Sequence, residues 1–267
     1  MILHDSSNWG NRKNRFVQHM IGRQLNRSMH KIEGTKMMNQ LTNTETSTTN
    51  WKSLYRVGGA AALLMFALTL VQSFIFITNP PPSTVIDYFT LFQKNKILGL
   101  LDLDLLLIVI NILLILIYLA LYVALSRFNK SYTAIALTLG LVGATLFFAS
   151  REATFGMLSL SNQYNAATTD VQRAALLAAG QALLTIYNGT AFDLSYILGG
   201  VVILIFSAVM LQSNVFSKAT IYVGIVMGVL MLVPPTVGTI GLFLSLISLL
   251  PTLIWLILIV RRFFQMK

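Results

Sequence analysis

Residues 100–125 read LLDLDLLLIVINILLILIYLALYVAL, and the class of the whole protein turns on them. From Leu105 to Leu125 no acid or base interrupts the run. At about 1.5 Å per residue that run makes a helix of about 31 Å, a full hydrocarbon thickness. Asp102 and Asp104 stand just ahead of it, and Asn111 lies inside it. A carboxylate at the bilayer centre costs about 2.5–3.5 kcal/mol. The length of the run lets both aspartates stay at its boundary, in a headgroup region or an external vestibule.

The rest of the chain has the same character. Of 267 residues, 55% are hydrophobic and 10% charged. A soluble domain carries about 25% charged residues, so the class is an integral membrane protein. There are no cysteines, which excludes disulfides, thiolate metal sites, iron–sulfur clusters and cysteine nucleophiles. His4, His19 and His30 all precede the apolar body, so no intramembrane metal or haem is expected. No other cofactor is expected.

Six apolar segments follow Val57, at 57–78, 105–125, 132–150, 194–211, 219–237 and 240–260. Each meets the requirement of roughly 17 to 25 residues for one crossing. The fifth is the weakest, because Pro234-Pro235 interrupts it near one end. The expected fold is therefore all-α: a polytopic membrane bundle of six transmembrane helices over 51–267. The basic residues give its orientation. With both termini inside, 15 of the 19 Lys and Arg are cytoplasmic; only Lys94, Lys96, Arg151 and Arg173 are not. That satisfies the positive-inside rule and points to the plasma membrane, with the lipid bilayer as partner. The net charge of +10 gathers mostly in the N-terminal tail and at the C-terminus, which argues against a nucleic-acid partner.

Residues 1–50 form a polar, basic tail for which disorder is the expectation. An alternative is a basic amphipathic helix on an anionic membrane surface, with Phe16, Val17, Met20, Ile21, Leu25, Met29 and Ile32 at helical spacing. Met37-Met38 makes an ordinary start, and nothing later needs residues 1–36, so a start-site artefact stays open. Two external loops carry their own structure. Thr84–Phe92 reads as a short interfacial helix with Val85, Ile86, Phe89 and Phe92 toward the lipid or the bundle. Between spans three and four, Thr169-Asp-Val-Gln172 fits a capping box. The helix it opens ends at Asn188-Gly189 and reads as an external lid.

The stretches LLDLDLL, NILLILIYLALYVAL, LSLSNQYNAATTDVQRAALLAAGQALL, GTAFDLSYILGG and FSKATIYVGI together resemble a widespread prokaryotic family of six-span membrane proteins. That family is known only as a domain of unknown function. The resemblance covers about Trp51 to Lys267. It implies the fold and the membrane location, and it brings no activity, substrate or catalytic residue.

The polar residues of the membrane body collect at one end. Asp102, Asp104, Arg151, Glu152 and Asp193 all fall at the external level. Asp104, Asn111 and Tyr118 recur at seven-residue spacing, so they share a face directed into the bundle. Asp104 is expected to pair with Arg151, and Asn111, about 10 Å deeper, to need a partner. One reading of the group is an interhelical clamp. Another is an acidic external vestibule that binds or moves a small polar or cationic ligand. A structural or regulatory role through lipid or protein contacts is the alternative. A carboxylate-based intramembrane enzyme comes third, because no serine–base pair or metal motif accompanies the acids.

Overall fold

The computed structural model describes residues 7–266, with side chains from residue 51 onward and at a few positions between 29 and 38. Every regular element in it is an α-helix. In chain order these are α1 (Ser7–Thr78), α2 (Val85–Lys94), α3 (Lys96–Asp102), α4 (Leu105–Leu125), α5 (Lys130–Ser150), α6 (Glu152–Ala166), α7 (Asp170–Tyr187), α8 (Thr190–Leu211), α9 (Lys218–Leu230) and α10 (Gly238–Gln265). The chain divides after Trp51 into two units, and the second carries the apolar helices. The side chains of Phe16 to Leu25 and of Ile32, most of the expected amphipathic face, lie outside the described residues.

Among the described residues, five stretches are long and apolar enough to cross a membrane: Trp51–Thr78, Leu105–Leu125, Lys130–Ala166, Asp170–Leu211 and Gly238–Gln265. The second coincides with the apolar run of the sequence. The third joins α5 to α6, and the fourth joins α7 to α8. Over the segment expected at 219–237 the helix is shorter than the apolar run. That helix, α9, has 13 residues, about 20 Å at the usual rise. Hydropathy continues to Val237, but the helix cannot. Pro234 lacks an N–H and pushes the residue before it out of the helical region.

The starts of α2, α3, α5, α7 and α9 follow from local chemistry, each with a side-chain cap. Asn129 accepts from the Tyr132 N–H to open α5, and Ser217 accepts from the Thr220 N–H to open α9. At α7 the capping box is complete, with Thr169 accepting from the Gln172 N–H and the Gln172 side chain accepting from the Thr169 N–H.

The helices sort into a bundle and a cap. The bundle core lies among the apolar part of α1 and α4, α5, α8, α9 and α10, with Ile117, Leu121, Phe206, Met210, Leu256 and Phe263 fully buried. α8 is its centre and packs on both α5 and α9. The α8–α9 approach is close enough to require glycine on both sides. A Cβ on Gly200 would lie 2.8 Å from the Gly228 carbonyl oxygen, and one on Gly228 would lie 2.9 Å from that of Gly200. Without a hydrophobic drive between helices in lipid, such contact between small residues is what holds them together.

The cap is α2, α3, α6 and α7, around Val85, Phe89, Phe92, Leu103, Ala153 and Met157. The sequence reading anticipates α2 and α7 and leaves α3 and α6 unassigned. In α2, Val85, Phe89 and Phe92 face the core and Ile86 is exposed, while Tyr88 joins the core. A single lid helix is therefore one part of a four-helix cap. Cross-links between cap helices are polar: Ser161 donates to the Phe89 carbonyl at 2.9 Å, and Gln93 donates to Ser161 at 2.9 Å.

Gly200→Val tests the α8–α9 seam. Overpacking of this kind costs typically about 1–3 kcal/mol. At about 2–4 °C per kcal/mol, the melting temperature in detergent should fall by roughly 2–12 °C. Leu211→Val, at an exposed position of the same helix, should leave it unchanged.

Candidate functional site

Three helix breaks meet where the cap joins the bundle. Asp104 separates α3 from α4, Arg151 separates α5 from α6, and Asn188-Gly189 separates α7 from α8. Asp104 holds a left-handed backbone, φ 67°, which non-glycine residues rarely adopt. In that conformation its carboxylate does not cap α4. It crosses to Arg151 instead, with Nε 2.8 Å from Oδ2, and it accepts a 2.6 Å hydrogen bond from the Tyr187 hydroxyl. The expected Asp104–Arg151 pair is present, with both residues buried.

Arg151 does more than pair. Its Nη1 donates to the Tyr187 carbonyl at 3.0 Å and to the Ser150 hydroxyl at 3.2 Å. The first of these satisfies a free carbonyl at the C-terminus of α7. The guanidinium also lies over three rings, 4.4 Å from Phe147, 4.1 Å from Tyr187 and 4.5 Å from Phe192. Desolvated cation–π contacts of this kind are worth about 2 kcal/mol or more. Thr154, the third residue of α6, donates to the Leu103 carbonyl at 2.5 Å. Burial raises the Asp104 carboxyl, while the Arg151 charge and the Tyr187 and Arg151 hydrogen bonds pull it back.

The other expected site residues do not join this pair. Asp102 ends α3, is 2% exposed, and has one carboxylate oxygen with no partner. Burial first, and the Asp104 charge second, push its carboxyl up to about 6. Asn111 donates to the Leu107 carbonyl of its own helix at 2.9 Å, so its partner is local and not interhelical. It borders a gap of about 20 Å³ beside Tyr118 and Gly140, room for one water. Glu152 is exposed, beside a depression that also touches Phe148 and Phe155. Asp193 accepts from the Thr236 hydroxyl and so ties the start of α8 to the α9–α10 turn.

Sequence reading misses Tyr187, Phe147, Phe192 and Thr154 as parts of the junction. Phe147 was within reach, since it lies one helical turn before Arg151 on the same face. Tyr187 and Phe192 flank the Asn188-Gly189 break, and only the return of α7 over the bundle brings them to Arg151.

A second feature lies within the bundle. A cavity of about 500 Å³ opens among α1, α4, α8, α9 and α10, bordered by Met65, Gln72, Tyr118, Ile203, Met227 and Trp255. At the end away from the cap, α1 is held close: a Cβ on Gly58 would lie 2.5 Å from that of Ala120 and 3.2 Å from Phe263. Toward the cap, Gln72 donates to the Leu101 carbonyl at 3.2 Å. Between these contacts α1 forms one wall of the cavity. Its rim includes Ile77 and Leu246, 79% and 62% exposed. The opening therefore faces the lipid side, between α1 and α10.

With this geometry in view, comparison with known families is direct. The family model described as Domain of unknown function (DUF4386) matches residues 57–263. The chain belongs to this family. The match spans the bundle and the cap together. No curated protein and no solved structure matches the chain.

Two variants test the junction. Asp104→Asn leaves Arg151 buried without its counter-charge, which costs about 3–5 kcal/mol. The melting temperature in detergent should drop by at least about 6 °C. Asp102→Asn should behave in the opposite way. A carboxyl whose folded pKa is raised destabilises the fold above that pKa and stops doing so as it becomes protonated. The variant should melt above the wild type at pH 8, and the difference should shrink as pH falls from about 6 toward 4.

Proposed function

We propose that this membrane protein binds a small ligand drawn from the bilayer, in the cavity among α1, α4, α8, α9 and α10. The observation that carries the reading is the cavity itself. Its volume of about 500 Å³ falls within the roughly 300–1,000 Å³ of ordinary ligand sites. Its exposed rim residues, Ile77 and Leu246, support lateral entry.

The acidic end gives less support to ligand binding. Asp104 already has an ion pair and a hydroxyl donor, and Asp193 is engaged by Thr236. That chemistry suits a clamp between cap and bundle better than a vestibule for cations.

The reading includes six crossings with both termini in the cytoplasm of a cell's plasma membrane. The placement of 15 of 19 basic residues supports it. The sixth crossing is α9 followed by the non-helical residues 231–237. Irregular backbone is tolerated at membrane depth where protein covers it; in this segment Pro234 is buried, while Leu232, Thr236 and Val237 are exposed.

Native mass spectrometry of the protein released from its own membranes tests the proposal. The wild type should retain a bound molecule of a few hundred daltons. Ile203→Trp, which fills the cavity from α8, should lose it while staying folded by circular dichroism. Identical spectra for both proteins would refute the site.

A further inference from the structure

The two ends of the bundle carry opposite charge. Away from the cap, Gly58 of α1, Ala120 of α4 and Phe263 of α10 meet, and Phe216 of the α8–α9 loop lies edge-on to Phe263 at 6.2 Å. Arg56, Arg127, Lys130, Lys218, Arg261 and Arg262 flank the apolar helices at this end. The acids of residues 52–267 are all elsewhere. Asp87, Asp102, Asp104, Glu152, Asp170 and Asp193 belong to the cap or to its side of the bundle.

An open pocket of about 400 Å³ lies among these bases. One wall is the last part of α10. Leu258, Arg261, Arg262 and Gln265 line it at three- and four-residue spacing, so they share one face of the helix. The other wall is the α8–α9 loop from Asn214 to Ser217, with Thr220. Ser217 caps α9 by accepting from the Thr220 N–H at 3.2 Å. The positive end of that helix's dipole therefore lies at the pocket.

The side chains of Asn214, Arg261, Arg262 and Gln265 make no hydrogen bond or ion pair among the described residues. Asn214, Arg261 and Gln265 are exposed, and Arg262 is half-buried. A guanidinium offers paired N–H groups in one plane, which suits two oxygens of a phosphate. No Asp or Glu lines the pocket, so the ammonium of a zwitterionic headgroup would find no counter-charge. Leu258 lies about 5 Å deeper than the arginines along α10. The α10 wall thus turns apolar below its charges.

We infer that this pocket binds the phosphate of an anionic phospholipid with no cationic group, of the phosphatidylglycerol kind. Arg261 and Arg262 take the phosphate oxygens, and Asn214 and Gln265 take the remaining headgroup oxygens. The chains pass Leu258 into the leaflet. Basic pockets between membrane helices suit anionic headgroups in this way. The site shares no lining residue with the cavity among α1, α4, α8, α9 and α10, so it goes beyond the reading above and stands without it.

The test titrates the full chain, in an uncharged detergent, by native mass spectrometry. The probes are dioleoylphosphatidylglycerol, dioleoylphosphatidylcholine, dioleoylglycerol and glycerophosphate. The first should bind at least about tenfold tighter than each of the others. Arg261→Gln with Arg262→Gln should remove that advantage. Asn214→Glu, which sets an acid in the opposite wall and leaves both arginines in place, should remove it too. Circular dichroism should show both proteins folded. Arg127→Gln with Lys130→Gln deletes the same charge from the same end outside the pocket and should leave the advantage intact, as should Ile203→Trp. Equal binding of dioleoylphosphatidylcholine would overturn the anionic class. Equal binding of glycerophosphate would overturn the lipid as the source of the phosphate. Equal weakening by the Arg127 and Lys130 changes would overturn the pocket in favour of general charge attraction. Loss in Ile203→Trp alone would move the lipid to the bundle cavity and overturn this site while that one stood.

Discussion

A guanidinium cannot shed its charge inside a protein, and Arg151 is buried. Everything at the cap end of the molecule answers to that constraint. The charge needs an anion, so Asp104 turns away from capping its own helix to meet it. The remaining donors need acceptors, and the last carbonyl of α7 and the Ser150 hydroxyl supply them. The flat faces need polarizable cover, which three aromatic rings provide. These partners come from three helix junctions, so one side chain sets how α3–α4, α5–α6 and α7–α8 meet. The strained backbone at Asp104 is a cost the assembly bears for that arrangement.

The bundle is packed by another logic. α8 lies against α5 and α9 with small residues at the closest approach. In lipid this is the effective mode, since no water is released by bringing apolar faces together. α1 has close contacts near Gly58 and a polar link at Gln72, with the open space between them. In water the hydrophobic effect would favour closing such a gap. In a bilayer the solvent is as apolar as the walls, and the gap can persist.

The sequence was most informative where one kind of force decides. The limits of α4 follow from hydropathy alone, and the start of α7 from a capping box. The Asp104–Arg151 pair was legible because Arg151 is the one base among the polar residues at its level. Hydropathy misled over α9, where proline's missing N–H ends the helix before the apolar run ends. α3 and α6 were missed because neither has the length or the strong periodicity of its neighbours. The cavity left no trace in composition. Its residues are ordinary core residues, and the space exists only through the spacing of α1 and α10 from the rest.

That space opens at the surface between α1 and α10, so it is not a sealed void. Acyl chains of the surrounding bilayer are the default filling, present at concentrations no soluble ligand matches. Any specific occupant is therefore selected by exchange against the membrane itself. Its affinity is the difference between two apolar contacts that nearly cancel.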